Sequence, residues 1–390
     1  MQQAIEGSLA IARAVALCKP QVVAAYPITP QTHIVENIAR LVADGVLDCN
    51  LVSVESEFSA ASVVLGAAAA GSRTYTASAS QGILLMSEVL YNIAGLRIPT
   101  VLTCANRAVS SPLSIWNDQQ DSMAVRDAGW IQLYCADNQD AVDTTIQAFR
   151  IAERCELPVM VCVDGFTLTH TLEPMEIPEA EQVEHFLPPY HFSRSLDPQN
   201  PISVGTLVSP DLFSEARHSH HQALLNAEAE IISAAEDWAK ISGRKSPGLL
   251  QADGPEGARI GILIMGSVYG TLADARSHYT DLEPVRLIKL RSFRPFPVKA
   301  LQQACEGLDE LIVLDRAMSP GSGGILGNEV RAALHQMEHL PRIHNFAIGL
   351  GGRDVPMDAL PKLLAAIDQE QPEYFSVFDV VLDRLPEQDR

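Results

Sequence analysis

Apolar and polar positions along this chain follow two alternating periods. Gln21–Tyr26 (QVVAAY) is an uninterrupted apolar run, which predicts a short strand buried on both faces. From Gln31 to Val42 the period changes: Ile34, Ile38 and Leu41 share one helical face, and Gly45 stops the helix. The same succession then repeats. Leu51–Val54 reads as a strand, about Glu57 to Ala70 as an alanine-rich helix, and Thr74–Ser78 as a strand followed by a helix through Leu96. Thr100–Ala105, a helix near Asp140–Cys155, and Pro158–Val163 continue the series. At the N-terminus, Ile5, Leu9, Ala12 and Ala16 have the spacing of one more helix within Met1–Cys18. Apolar strands separated by helices predict a parallel sheet covered on both faces.

Two stretches break the pattern. Between Ala105 and the helix near Asp140 no period is visible, and loops of that length inside a compact domain usually carry function. A Pro-rich segment, Pro174 to Pro201, leads into a polar helix, roughly Ser214 to Ile241, an excursion of about 174–250. The Gly- and Pro-containing joint LLQADGPEGAR is the best domain boundary. Beyond it a second α/β unit begins: strands at Ile260–Met265, Val285–Leu290 and Leu311–Asp315, with helices at Gly270–Tyr279, from Val298, and after a glycine-rich turn. The fold class is therefore α/β with two parallel-sheet domains, 1–250 and 256–390.

Composition narrows the function. The chain has 390 residues, 47% of them hydrophobic, enough for two cores. With 28 Lys and Arg against 48 Asp and Glu, the formal net charge of -20 disfavours nucleic acid and anionic membrane surfaces as partners. The longest apolar stretch, near Ala60 to Gly71, is too short to span a bilayer. Seven scattered cysteines lack the spacing of zinc or iron–sulfur ligands and suit free thiols in a cytoplasmic protein.

Some motifs have bland explanations. His218, His220 and His221 lie on a solvated, charge-rich helix. His335-Gln-Met-Glu-His339 fits a zinc-peptidase pattern, but the helix should end before Pro341. Pro320–Gly327 (PGSGGILG) misses the dinucleotide fingerprint because Leu326 stands where its last glycine should be, so a tight strand-to-helix turn is expected. No metal ligand set is expected in this chain.

Position carries a stronger signal. In parallel sheets ligands gather at the carboxyl ends of strands, and three polar residues fall there: Thr29 in the Pro27-Ile28-Thr29-Pro30 turn, Glu57 after LVSV, and Arg107 after TVLTCA. An arginine fork suits a carboxylate substrate, a threonine hydroxyl can donate to an adjacent oxygen, and a glutamate against an apolar wall can share a proton with a ligand nitrogen. Physical reasoning leaves Glu55 and Glu57 both open for that last role.

At these same residues the chain resembles the alpha subunit of pyruvate:ferredoxin oxidoreductases and related 2-oxoacid:acceptor oxidoreductases. The matching strings are YPITPQT (26–32), VESEFSA (54–60), ANRAVSSPLSIWNDQQDSM (105–123), RDAGWIQ (126–132), GSVYGT (266–271), KLRSFRPFP (289–297) and GLGGRDV (349–355). The resemblance implies a pyrimidine-binding domain over 1–250 and a transketolase C-terminal-like domain over 256–390. It implies that Glu57 contacts N1′ of thiamine diphosphate, with Pro27 and Ile28 also at the cofactor, and that Thr29 and Arg107 bind the substrate. The implied reaction is oxidative decarboxylation of a 2-oxoacid, pyruvate favoured, to an acyl-CoA, with coenzyme A as co-substrate. Electrons would pass through [4Fe-4S] clusters to ferredoxin or NAD. No diphosphate motif or cluster-ligating run is present, so the diphosphate and magnesium would belong to a beta subunit and the clusters to gamma and delta subunits. Gln119-Gln120 and Ser78-Ala-Ser80-Gln81-Gly82 depart from the pattern of pyruvate enzymes, which keeps phenylglyoxylate and oxalate as alternative substrates. A non-catalytic scaffolding subunit is the alternative from another class.

Overall fold

The computed structural model describes residues 2–368 and 373–390. Two sheets organise the chain. The first has seven strands in the order Ser292–Arg294, Ile131–Tyr134, Val159–Asp164, Val101–Asn106, Thr74–Ser78, Val22–Ala25 and Asn50–Ser53. All neighbours are parallel except the Ser292–Arg294 edge. Its central strands, Thr74–Ser78, Val101–Asn106 and Val159–Asp164, are buried at every position. This is why they read as unbroken apolar runs: each is covered by helices on both faces.

The second sheet has six strands, ordered Ser376–Val377, Arg342–Ala347, Glu310–Asp315, Ile260–Ile264, Val285–Leu290 and Leu250–Asp253. Only Leu250–Asp253 runs antiparallel to its neighbour. The second sheet thus begins at Leu250, before the expected start at 256, and Ser292–Arg294 leaves the second unit to complete the edge of the first sheet. Neither transfer is legible locally, because a strand's partner is set by distant geometry rather than by its own residues.

One apolar cluster joins the two units. Ala24, Val64, Met86, Trp130 and Tyr134 of the first pack with Leu263, Leu290, Phe293 and Val313 of the second. Buried polar contacts run beside it. Arg291, fully buried, donates to the carbonyls of Pro247 and Gly248, to Thr144 Oγ1 at 3.1 Å and to Gln147 Oε1 at 2.9 Å. Lys289 lies 3.5 Å from Asp140. Burial pushes the Asp140 carboxyl up, but Lys289, Arg291 and an N–H from Ala136 outweigh it and leave it below the usual range.

Three local expectations change. The aperiodic stretch before Asp140 holds a short helix, Gln120–Ala124, and the fully buried strand Ile131–Tyr134, too short to show a period. The N-terminal helix begins only at Gly7, because Gln3–Glu6 forms a ribbon with Leu172–Met175. The helix expected to carry His335 and His339 ends at Leu334; His335 turns back to the Ala332 carbonyl and His339 reaches Asp309, so the peptidase-like pattern does not lie on one helical face. Within the excursion a short helix, Ala180–Phe186, precedes the polar one, which runs over Pro210–Ser242, started by Pro at its N-terminus and stopped by Gly243 with φ +71°. It packs on Asn138–Cys155 through Arg150, which reaches Glu230 and Asp237.

Candidate functional site

Five parallel strands deliver loops to the same end of the first sheet. Val22–Ala25 feeds the Tyr26–Pro30 turn, Asn50–Ser53 leads to Glu57, and Thr74–Ser78 to the helix Ser80–Gly95. Val101–Asn106 ends on Arg107, and Val159–Asp164 on Gly165. The turn is held from beneath by the fully buried Gln31, whose amide donates to the Ala77 carbonyl at 3.0 Å and accepts from the Ile28 N–H. Gly165 sits so close that a Cβ there would lie 2.4 Å from the Asn106 carbonyl and 2.6 Å from the Pro30 ring. Only glycine permits that approach.

Thr29 and Arg107 meet. The buried Arg107 donates from Nη1 to the Thr29 carbonyl at 2.9 Å and from Nε to the Ser114 carbonyl at 3.2 Å. Burial pulls its pKa down and the Asp121 carboxylate opposes the fall. Thr29 itself is exposed, as is Pro27, while Ile28 is half-buried against the apolar core. The tie between the two site residues is thus guanidinium to backbone, which leaves the threonine hydroxyl and Nη2 of the arginine for a ligand.

The structure separates the two glutamates. Glu55 is exposed and accepts from Ser59 Oγ at 2.6 Å, a bond that lowers its pKa. Glu57 is buried in the first turn of Glu57–Ala69, behind the Ser56 cap. Among the described residues no hydrogen bond reaches its carboxylate. It lies against Gly82, where a Cβ would come 2.8 Å from Glu57 Oε1 and 2.3 Å from Ser78 Oγ. Ser78 Oγ is buried there without a partner among the described residues. A buried carboxylate beside an orphaned hydroxyl is a pair of polar groups suited to a ligand with its own donors and acceptors.

Sequence reasoning missed the residue that joins these parts. Asp121, fully buried, accepts from the N–H groups of Ser80 (2.8 Å), Arg107 (3.0 Å) and Ser122 (2.8 Å) and from the Asn106 amide (2.8 Å). It therefore places the start of the Ser80 helix and the base of Arg107 in one frame. Burial raises its pKa and those four donors oppose the rise. The helix start at Gln120 was the only local signal.

Gln119 Nε2 faces Asp164 at 3.4 Å and Gln120 Oε1 accepts from the Met318 N–H at 3.1 Å. Asp164 also accepts from Arg316 (2.9 Å) and from the N–H of Ser267 (2.8 Å), so these residues form the joint between the two units. In the same joint, burial pushes the Asp118 carboxyl up to about 6, against N–H donors from Gln120 and Gly351. A folded-state pKa above the unfolded 3.8 means that folding favours the protonated form. Its stabilising contribution is full below about pH 4 and lost as pH rises through about 6. Relative to Asp118→Asn, the native chain should lose up to roughly 3 kcal/mol between about pH 4 and pH 7, read from urea unfolding at each pH. A pH-independent difference would contradict this.

The glycine-rich turn of the second unit is filled from within. Asp315 accepts from the N–H groups of Leu326 (2.7 Å) and Gly327 (3.0 Å), occupying the helix start where a phosphate would sit.

Comparison with known proteins follows this geometry. Residues 13–236 match the family profile described as pyruvate flavodoxin/ferredoxin oxidoreductase, thiamine diphosphate-binding. Residues 258–360 match pyruvate:ferredoxin oxidoreductase core domain II. The chain is similar to the pyruvate synthase subunit PorA of Methanosarcina barkeri, 43% identical, with 92% of this chain and 91% of that one aligned. PorA of Methanocaldococcus jannaschii is 42% identical over 95% of both chains. The ketoisovalerate oxidoreductase subunit VorA of Pyrococcus abyssi is 39% identical over 91% of this chain and 90% of that one. Among solved structures, the 2-oxoglutarate:ferredoxin oxidoreductase from Magnetococcus marinus superposes with a TM-score of 0.72 at 20% identity. The match covers 94% of this chain and 65% of that one, a likeness of fold.

Proposed function

Because the chain belongs to the pyruvate flavodoxin/ferredoxin oxidoreductase family, we propose that it is the alpha subunit of a multi-subunit, thiamine diphosphate-dependent 2-oxoacid oxidoreductase acting on pyruvate. Residues 1–250 would form the pyrimidine-binding domain, and 256–390, with the Leu250 strand added, the transketolase C-terminal-like domain. The observation that carries the reading is the convergence at one sheet edge of a buried glutamate lacking any donor and an arginine tied to the Thr29 turn.

The residues fit the pyrimidine half of the cofactor. Glu57 would hold a proton at the aminopyrimidine N1′, and the orphaned Ser78 hydroxyl offers a polar partner beside it. Pro27 and Ile28 would supply an apolar wall. When bound, the cofactor supplies the electron sink that decarboxylation of a 2-oxoacid needs. Arg107 would clamp the substrate carboxylate while the Thr29 hydroxyl donates to its 2-oxo oxygen. Asp121 fixes the Arg107 backbone to the start of the Ser80 helix, and Arg107 in turn donates to the Thr29 carbonyl, so the arginine does not have to be organised at the moment of reaction.

The remaining parts would come from elsewhere. A beta subunit would hold the diphosphate and magnesium, and gamma and delta subunits the [4Fe-4S] clusters, with coenzyme A as acyl acceptor and ferredoxin or another carrier taking the electrons. No helix among the described residues is long and apolar enough to cross a membrane; the proposed location of the complex is the cytoplasm. Pyruvate is favoured over phenylglyoxylate or oxalate because relatives 42–43% identical over more than nine-tenths of the chain are pyruvate synthase subunits.

The test is pyruvate-dependent ferredoxin reduction by the complex reconstituted with its partner subunits, with 2-ketoisovalerate and 2-oxoglutarate as competitors. Arg107→Lys should raise KM for pyruvate by about 10–100-fold with a smaller effect on kcat, because a point charge replaces a planar fork. An unchanged KM would remove Arg107 from the substrate site.

A further inference from the structure

Glu6, His33 and His170 are remote in sequence but adjacent in space. Glu6 ends the Gln3–Glu6 strand, His33 lies in the first turn of the Thr32–Ala43 helix, and His170 lies in the loop after Val159–Asp164. Each offers one ligand atom, and the three atoms lie within 4.8 Å of one another. Glu6 Oε1 is 2.8 Å from His33 Nδ1, and the two imidazole centroids are 4.5 Å apart. We propose that these three side chains form a binding site for a divalent transition-metal ion of the zinc type.

The donor set supports that class. Two imidazoles and one carboxylate suit zinc, cobalt or nickel, whereas magnesium and calcium prefer all-oxygen shells. Three protein ligands leave a fourth position for water or a small anion. The His170 ring is already oriented: Thr169 Oγ1 lies 2.7 Å from its Nδ1, and Phe166, itself packed on Trp116, lies 4.7 Å from its centroid. A fixed contact at one ring nitrogen is the usual support for a metal ligand at the other. Side-chain exposures of 47% for His33 and 30% for Glu6 leave an open path for an ion.

Position gives the site a consequence. His33 follows the Thr29–Pro30 turn by one helical turn, and the Gly165–His170 loop packs against Pro30. A bound ion would tie the N-terminal strand, the helix behind the turn and this loop together. Its binding free energy would then stabilise the folded chain by mass action.

The experiment uses the purified full-length chain, stripped with chelator and titrated with zinc against a chromophoric chelator. Cobalt is then added to read ligand type from its absorption. His33→Ala and His170→Ala are compared with His218→Ala, which removes an exposed histidine outside the cluster. Melting of each metal-free variant verifies that it folds, and Glu6→Gln serves as a milder third variant. The expected result is one saturable zinc equivalent, weakened at least ~10-fold in each cluster variant and unchanged in His218→Ala, with nitrogen and oxygen ligation in the cobalt spectrum. The zinc-loaded native chain should melt higher than the stripped one. Absence of a saturable equivalent, undiminished affinity in the cluster variants, or thiolate bands in the cobalt spectrum would each overturn the assignment. No turnover is measured, so these results are independent of the oxidoreductase reading.

Discussion

Replacing Glu57 by Gln should lower pyruvate turnover of the reconstituted complex by about 10³-fold, within the range removed with a general acid–base group. That loss corresponds to roughly 4 kcal/mol of barrier. Folding should be almost untouched. No hydrogen bond within the described residues ends on the Glu57 carboxylate, and the amide has nearly the same shape, so melting should stay close to that of the native chain. This separation of activity from stability distinguishes a cofactor ligand from a scaffold residue. A scaffolding subunit would give near-normal turnover with Glu57→Gln, and such a result would remove both the residue and the catalytic reading. Gly82→Ala is a companion test, since its methyl group would press on Glu57 Oε1 and Ser78 Oγ together. It should lower turnover although no titratable residue is replaced.

Arg291→Met should lower the unfolding free energy by about 3–5 kcal/mol, the usual consequence of removing one member of a buried charged network. The guanidinium is completely buried and bonds four acceptors, two on the Asn138–Cys155 helix and two on the segment leading to the second sheet. Without it the Pro247 and Gly248 carbonyls lose this donor, and Asp140 loses one of the two cations, Lys289 and Arg291, that hold its pKa down. Urea unfolding should show an earlier midpoint. Because Arg291 bridges the two units, the single transition should also broaden or divide. A midpoint within error of the native chain would mean that the apolar cluster alone holds the units together. Arg291→Lys should recover only part of the loss, because an ammonium cannot reach four acceptors arranged around a planar fork.

Much of the two sheets was legible because their central strands are buried on both faces. Thr74–Ser78 and Val285–Leu290 were read with their observed bounds, and Glu57–Ala69 within one residue, since local apolar period and burial coincide there. Ile131–Tyr134 escaped notice because four buried residues show no period. The site was half legible. Thr29, Glu57 and Arg107 could be placed at strand ends from chain order alone, yet Glu55 remained an equal candidate until burial separated the two. Asp121 could not be found locally, since its importance comes from donors on three different segments.

By itself the sequence determined the α/β class, the division into two units, the family, and the strand ends from which a site would be built. These follow from patterns of a few residues, where side-chain size and polarity decide whether a segment is covered or exposed. Tertiary structure alone decided that Leu250–Asp253 and Ser292–Arg294 belong to different sheets and that Gln119 faces Asp164. It also decided that Glu6, His33 and His170 share one corner. The physical reason is the same in each case. Hydrogen-bond partners and ligand clusters depend on where distant segments come together, and no local period encodes that distance.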